Sequence, residues 1–186
     1  PEDIHAIDWL SLSDAEVCDR LQAVTSASLP GRHVEDGFRI SIAGAQEKTA
    51  FLRHHDYWCV PVGSTPSTHI FKLPPRQVGN MRADMHTSVE NEWLCMQLLA
   101  AFGIPVANTS IGRFGDQRAL IVERFDRRLA RNGRWWLRLP QEDMCQAFGL
   151  PSSRKYESDG GPGIMQIMEL LRQSEQPQDR AIFFKS

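Results

Sequence analysis

The stretch that decides the fold runs from Ile40 to Phe51 and reads Ile-Ser-Ile-Ala-Gly-Ala-Gln-Glu-Lys-Thr-Ala-Phe. Its apolar and β-branched residues predict a strand that breaks at Gly44 and resumes after the polar residues that follow. A turn of small residues between two strands lets backbone N–H groups approach a phosphate, and Lys48 adds a positive charge. The stretch therefore suggests a nucleotide loop, although a glycine between two strands is more often only a hairpin turn.

Two known kinds of phosphate loop fit this stretch to different degrees. A Walker A loop needs a second glycine directly before its lysine and then a helix, whereas Gly44-Ala-Gln-Glu-Lys48-Thr49 has no second glycine and continues into apolar strand residues. A protein-kinase loop instead crosses the phosphates between two antiparallel strands, and a lysine follows on a nearby strand. The second scheme fits better, because Lys72 lies in the strand-like segment Thr68-His-Ile-Phe-Lys-Leu-Pro74.

Lys72 has two possible roles. A lysine within an apolar strand either reaches water with its ammonium group or meets an anion, because a buried unpaired charge is costly. A helix is predicted next, since Thr87-Ser-Val-Glu90 matches a capping box and Gly103 suits the C-terminus. Kinases hold the strand lysine with a glutamate of such a helix, and Glu92 is the predicted partner. Capping or a solvent-exposed charge is the alternative role for an acid in a first helical turn.

Further elements follow along the chain. Gly115-Asp116 predicts a hairpin, and residues 119–125 form an apolar run typical of a buried strand. In a kinase, this strand would lead to the hinge. Asn132-Gly133 predicts a second hairpin. A helix is expected over residues 140–149, beginning at Gln141 and Glu142, and a final helix near residues 164–171.

Six segments in this order resemble the HipA family, the serine/threonine kinase toxins of bacterial toxin-antitoxin pairs. They cover nearly the whole chain and are more specific than one glycine loop. The segments are Ile40-Ser-Ile-Ala-Gly-Ala-Gln-Glu-Lys-Thr-Ala50, Thr65-Pro-Ser-Thr-His-Ile-Phe-Lys-Leu-Pro74, Ser88-Val-Glu-Asn-Glu92, Val122-Glu-Arg-Phe-Asp-Arg-Arg128, Arg138-Leu-Pro-Gln-Glu-Asp-Met144 and Lys155-Tyr-Glu-Ser-Asp-Gly-Gly-Pro-Gly163.

The resemblance implies an α+β fold. We expect a protein-kinase-like small lobe with an antiparallel sheet and one long helix, followed by the first helices of the large lobe. Residues 1–35 would form a helical connector from an N-terminal subdomain. Residues 36–130 would form the ATP-binding small lobe, and residues 131–186 the lobe junction with a truncated start of the large lobe.

The resemblance also assigns an ATP site. The residues implied are Ala43, Gly44, Ala45, Gln46, Glu47, Lys48, Lys72, Glu123, Arg124 and Phe125. Glu123 and Phe125 would offer backbone groups to the adenine. Gln141 and Glu92 are further candidates, and a plain helix-start residue is the alternative role for Gln141. Ser41 matches the serine that the family autophosphorylates, where added negative charge would eject the loop; an ordinary strand hydroxyl is the alternative.

The catalytic half of such a site is missing from these 186 residues. They contain no H-R-D-type loop and no D-F-G-type triplet, which in kinases supply the catalytic Asp and the magnesium ligands. We therefore expect ATP as cofactor, Mg²⁺ held by residues outside this chain, no catalytic residue within it, and no turnover in isolation. The chain would be a cloned segment, a proteolytic remnant or a truncated gene product.

Composition limits the partners. With 21 basic and 23 acidic residues the formal net charge is −2, which gives no electrostatic case for direct nucleic-acid binding. No long apolar run or leader predicts a membrane span or secretion, so a bacterial cytoplasmic location is expected. The four cysteines and six histidines lack metal-ligand spacing. By resemblance, the partners are a HipB-type antitoxin, operator DNA through that antitoxin, and an aminoacyl-tRNA synthetase as substrate, usually the glutamyl enzyme.

Two other classes of function stay open at this stage. One is a non-catalytic module that binds nucleotide or antitoxin and comes from a naturally truncated homologue. The other is a degenerate scaffold in which Lys48 and Lys72 are merely exposed. ATP would leave the melting temperature of such a scaffold unchanged, whereas a binder gains stability on ligand addition.

Overall fold

The structure is a computed structural model that describes residues 5–27, 46–75 and 85–185. The chain divides into two compact units. The first comprises Pro1–Leu98 with Val106–Arg138, and the second comprises Leu99–Pro105 with Leu139–Ser186.

The first unit is built on an antiparallel sheet in the order β1-β3-β2-β4-β6-β5, with a separate hairpin of β7 and β8. The strands are β1 (Trp9–Leu12), β2 (Lys48–His54), β3 (Tyr57–Pro61), β4 (His69–Lys72), β5 (Thr109–Phe114), β6 (Gln117–Glu123), β7 (Arg127–Leu129) and β8 (Trp136–Arg138). Helix α1 (Asp14–Ala27) belongs to this unit, and α2 (Ser88–Ala101) begins in it. The predicted mixture of helix with an antiparallel sheet is confirmed.

The core lies between α1 and one face of the sheet. Val17 and Leu21 of α1 are fully buried against aromatic residues of the strands. The rings of Phe51 and Phe71 meet edge to face with centroids 4.8 Å apart, an arrangement that aromatic pairs prefer. Because side chains alternate along a strand, this core fixes which residues of β2 and β4 point to the opposite face.

The sequence predicts how α2 begins and how it ends. Gly103 has φ of 75° and its N–H donates to Ala100 O at 2.9 Å, so the predicted C-terminal glycine is confirmed. The helix begins at Ser88, directly after Thr87, and the capping box at this start stays a prediction. The Glu90 carboxylate pairs with Arg118 of β6 at 2.7 Å.

The second unit is helical in its described residues, with α3 (Met144–Ala147), α4 (Ile164–Leu170) and α5 (Asp179–Lys185). The helix expected over 140–149 is shorter than predicted. Its N-cap is Asp143, whose carboxylate accepts from the Gln146 N–H at 2.8 Å while the Gln146 side chain accepts from the Asp143 N–H at 2.8 Å. This reciprocal capping starts the helix after Asp143 and leaves Gln141 and Glu142 outside it.

A glycine-rich loop precedes α4, and two of its glycines differ in what a side chain would meet. A Cβ on Gly161 would lie 2.4 Å from Arg154 O, whereas one on Gly163 would lie 2.4 Å from the Glu157 carboxylate. Backbone cannot swing aside and a carboxylate can. We therefore expect Gly161→Ala to lower the free energy of unfolding by about 1–3 kcal/mol and Gly163→Ala to cost less, as measured by denaturant unfolding. Equal losses in the two variants would contradict this account.

Candidate nucleotide-binding site

Two lysines lie side by side on the sheet face opposite the α1 core. In the pairing of β2 with β4, Lys48 is directly opposite Lys72. Directly opposed residues of antiparallel strands project to the same face with Cβ atoms about 4.5–5.5 Å apart. Two like charges at that separation destabilise the sheet unless an anion is near. This pair therefore makes a positive spot suited to an anionic group such as phosphate.

Glu92 supplies part of the compensating charge. The Lys72 ammonium group donates to Oε1 of Glu92, and the two side chains are 28% and 29% exposed. The structure thus brings together the strand lysine and the helix glutamate that the sequence suggested as partners. Their role toward a nucleotide stays a prediction.

The polar residues that lead into β2 are anchored to the end of β4. The Gln46 side-chain amide donates to Leu73 O at 2.9 Å, and the Leu73 N–H donates to Glu47 O at 2.9 Å. Lys48 follows directly, so these bonds hold it next to Lys72. The predicted loop residues Ala43, Gly44 and Ala45, and the predicted autophosphorylation site Ser41, lie outside the described residues.

The predicted hinge lies at the other end of β4. Glu123 is directly opposite His69, three residues from Lys72, which is about 10 Å along a strand. The Glu123 N–H donates to Asn108 O at 2.9 Å, and the Arg124 N–H donates to Thr68 O at 2.9 Å. The Phe125 side chain is 75% exposed. The two ends of β4 are thus separated by a length that suits an extended nucleotide.

A buried charge cluster follows the predicted hinge. Arg124 donates to Asp126 through Nε at 2.9 Å and Nη2 at 2.7 Å, and Arg127 donates to the same carboxylate through Nη1 at 2.7 Å. Arg127 also donates to Ser67 O through Nε at 3.1 Å. The hydrogen bonds from Arg124 hold the pKa of the Asp126 carboxyl below its usual value. This cluster, here called the hinge latch (Arg124, Asp126 and Arg127), ties the turn after β6 to the loop before β4.

Sequence reasoning assigned Arg124 to the nucleotide, but its guanidinium is engaged with Asp126 and its backbone N–H with Thr68 O. Its role toward a nucleotide stays a prediction. The alternation of opposite charges in Arg-Phe-Asp-Arg directly after a buried strand was the signal for the latch. Arg118 was missed as well. Its Nη1 lies 2.7 Å from Glu90 Oε1 in an ion pair, and its Nη2 donates to His86 O at 2.7 Å. The signal for it in the sequence was a cation within an apolar strand.

A cavity of about 370 Å³ lies on the opposite face from Lys72. It is lined by Arg53, Trp58, His69, Asn108, Thr109, Ser110, Ile121 and Glu123. The Arg53 guanidinium stacks 4.6 Å from the Trp58 ring centroid, and burial lowers the pKa of the His69 imidazole. Because His69 and Lys72 are three positions apart in one strand, their side chains leave opposite faces. This cavity is therefore separate from the paired lysines.

Three remaining predictions concern Gln141, metals and membranes. Gln141 is exposed and precedes α3 in the second unit, so its role stays a prediction. Among residues 5–27, 46–75 and 85–185, no group of three or more His, Cys, Asp or Glu side chains could hold a metal ion. No helix in the same ranges is long and apolar enough to cross a membrane.

One protein family matches most of this chain. The sequence pattern of the family described as HipA-like C-terminal domain matches residues 40–186. The chain belongs to this family. Its predicted resemblance to HipA is thereby confirmed.

Individual relatives agree with the family assignment. Y4mE of Sinorhizobium fredii, which is named as a kinase, is 38% identical over 138 residues, or 74% of this chain and 31% of that protein. The serine/threonine-protein kinase toxin HipA of Shewanella oneidensis is 38% identical over 125 residues, or 67% of this chain and 27% of the toxin. The chain thus spans about a third of the curated relatives it matches.

A solved structure is similar as well. It is the Shewanella oneidensis HipA, HipB and operator DNA complex, in which the matching chain has a TM-score of 0.68 and 29% identity. The match covers 94% of this chain and 41% of that one. The fold described here is therefore a HipA fold over the matched part.

Proposed function

We propose that this chain is the ATP-binding part of a HipA-type serine/threonine kinase toxin, with the first unit acting as a protein-kinase-like small lobe. The observation that carries the proposal is the placement of Lys48 opposite Lys72 on one sheet face, with Glu92 against the second lysine. Two cations on directly opposed strand positions suit the phosphates of a nucleotide. Family membership makes a kinase ligand the natural choice of polyphosphate.

Each residue has a specific role in this proposal. Lys48 and Lys72 bind phosphate oxygens, and Glu92 keeps the Lys72 ammonium group from turning into solvent. The backbone of Glu123, Arg124 and Phe125 aligns the adenine, while the loop residues before Lys48 cradle the phosphates with their N–H groups. Bound ATP supplies the phosphoryl group. The hinge latch keeps the adenine end of the site in register with β4.

Phosphoryl transfer needs groups beyond these residues. The described residues include no acidic cluster that could hold Mg²⁺, and the 186 residues contain no kinase catalytic loop. We propose that the magnesium ligands and the catalytic Asp lie elsewhere in the whole protein. The chain by itself would then bind ATP without transferring its γ-phosphate.

For the whole protein, we extend the proposal to partners and regulation. A HipB-type antitoxin would bind it, as HipB accompanies HipA in the Shewanella complex, and operator DNA would be contacted through that antitoxin. The substrate would be an aminoacyl-tRNA synthetase, with the glutamyl enzyme as first candidate. Autophosphorylation of Ser41 would place about −1.5 to −2 charge beside a phosphate site and so repel ATP.

ATP binding by this chain is the direct test. Isothermal titration with ATP, with and without Mg²⁺, should give a saturable heat, and thermal unfolding should shift upward. At a hundredfold excess over Kd the expected stabilisation is about 2.7 kcal/mol. Adenosine is the matched control, since it lacks the phosphates that the lysines would bind and should bind far more weakly. Equal binding of ATP and adenosine, or no binding of either, would overturn the proposal.

A further inference from the structure

Helix α2 is attached to the sheet by its first turn. Val89 is fully buried, whereas Leu94 and Leu98, further along the helix, are 51% and 50% exposed. Within the described part of the first unit, apolar burial therefore holds little of this helix. The contacts of residues 86–92 must set where the helix lies and how it is rotated about its axis.

Two ion pairs flank the buried valine. At 3.6 residues per turn, one residue corresponds to about 100° of rotation. If Val89 points at the sheet, Glu90 lies about 100° to one side and Glu92 about 60° to the other. The first pairs with Arg118 of β6 at 2.7 Å, and the second pairs with Lys72 of β4. A helix held on both sides cannot rotate about its axis toward either strand.

The two cations lie on the same sheet face. Lys72 is directly opposite Leu120, and Arg118 is two residues from Leu120 along β6, so both side chains leave the same face. Such diagonal neighbours are about 7–8 Å apart. Arg118 uses its planar fork to bind two points, the Glu90 carboxylate and His86 O, which a single ammonium group could not match.

Some buried polar atoms at the start of α2 lack hydrogen bonds within the described residues. Ser88 Oγ, Glu90 Oε2 and Arg118 Nε are all buried and have no hydrogen-bond partner among the described residues. Buried polar atoms without partners cost stability. Among the described residues, the two ion pairs therefore hold the first turn in place although these three atoms have no partner.

We propose that Arg118 is a positioning residue for the nucleotide site. Its two contacts, with Glu90 and with the His86 carbonyl, are here called the grip. The grip fixes the rotation of α2 about its axis, and so holds Glu92 against Lys72. This inference rests on the proposed function, in which Lys72 binds the phosphates of ATP. Loss of the grip lets α2 roll away from β6. Glu92 then leaves its place, and Lys72 loses the orientation that phosphate binding needs.

The test measures ATP affinity by isothermal titration, with the melting temperature of the unliganded protein recorded separately. Arg118→Gln and Glu90→Gln remove opposite charges from the same grip. If the grip positions Lys72, both variants weaken ATP binding by about three- to tenfold. If the charges act only through their long-range field, Arg118→Gln weakens ATP binding and Glu90→Gln strengthens it, which would overturn the inference.

Two further variants complete the test. Arg113 of β5 is directly opposite Arg118 and is exposed, so Arg113→Gln removes the same charge at the same level of the sheet and leaves the ion pair of Arg118 with Glu90 in place. Its ATP affinity should change by less than about twofold. Arg118→Lys keeps the charge near Glu90 and should recover part of the affinity that Arg118→Gln loses.

The outcomes separate this inference from the proposed function. If the unmodified chain binds no ATP, the proposed function fails first. If it binds ATP and the Arg118→Gln and Glu90→Gln variants lower only the melting temperature, the grip is purely structural and the inference is wrong. A parallel loss of affinity in both variants, with Arg113→Gln unaffected, supports it.

Discussion

Replacing Lys72 with alanine is expected to remove most of the stabilisation of this chain by ATP. The ammonium group lies opposite Lys48 on the same sheet face and is held by Glu92. A charge-assisted contact with phosphate is among the stronger hydrogen bonds in proteins. We expect Kd for ATP to rise by at least about thirtyfold, which corresponds to about 2 kcal/mol. Isothermal titration measures the affinity, and thermal unfolding at fixed ATP measures the lost shift.

The unliganded protein should change little in the same variant. The Lys72–Glu92 pair is more than a quarter exposed on both sides, and pairs of this kind contribute about 0–1 kcal/mol. Lys185→Ala is the matched control, because it removes the same charge from an exposed position in α5 of the second unit. An unchanged ATP affinity in Lys72→Ala, or an equal loss in Lys185→Ala, would contradict a phosphate role for Lys72.

Removing the acid of the hinge latch is expected to cause a large loss of stability. Asp126 is 4% exposed and accepts hydrogen bonds from two guanidinium groups. The side chains of Arg124 and Arg127 are only 14% and 10% exposed. Asp126→Ala would leave two buried cations facing each other without an anion. The expected loss in the free energy of unfolding is about 3–5 kcal/mol, measured by urea denaturation.

A surface acid gives the control for this prediction. Asp56 is fully exposed and lies 3.7 Å from Arg53, so Asp56→Asn should change the free energy of unfolding by less than about 1 kcal/mol. Asparagine also tolerates the positive φ of 65° at this position. If Asp126→Ala lowered the free energy of unfolding no more than Asp56→Asn does, the hinge latch would not stabilise the fold.

The latch also predicts a dependence on pH. Hydrogen bonds from Arg124 lower the pKa of Asp126 in the folded chain. A carboxyl whose pKa is depressed by folding stabilises the protein fully above its unfolded pKa, and that contribution is lost as pH falls through the folded value. The unfolding free energies of the unmodified chain and Asp126→Asn should therefore differ by a constant amount near neutral pH and converge below about pH 4. A difference that widened on acidification would contradict the assignment.

The arrangement of the candidate site could be predicted from sequence only where its signals are local. The strand containing Lys72 and the helix carrying Glu92 both follow from the spacing of apolar residues, and a kinase-like scheme then suggested their pairing. The hairpin at Gly115-Asp116 followed from turn chemistry in the same way. These signals operate over a few residues, which is why a single sequence reveals them.

Contacts between distant residues were not predictable in this way. The Glu90–Arg118 ion pair joins residues 28 positions apart, and the Arg127 guanidinium reaches a carbonyl 60 positions away. Each acid had several cations within the chain that it could have met.

The sequence by itself determined the strand and helix segments, the turn glycines and the membership of a kinase toxin family, because these follow from local periodicity, backbone preference and motifs in order. Only the tertiary structure decided the strand register that sets Lys48 opposite Lys72, and the choice of partner for each buried charge. The physical reason is that shifting a strand by one residue turns every side chain to the other face. Register is set by the burial of the Phe51 and Phe71 core, so Lys48 and Lys72 are opposite each other because the core packs in one way.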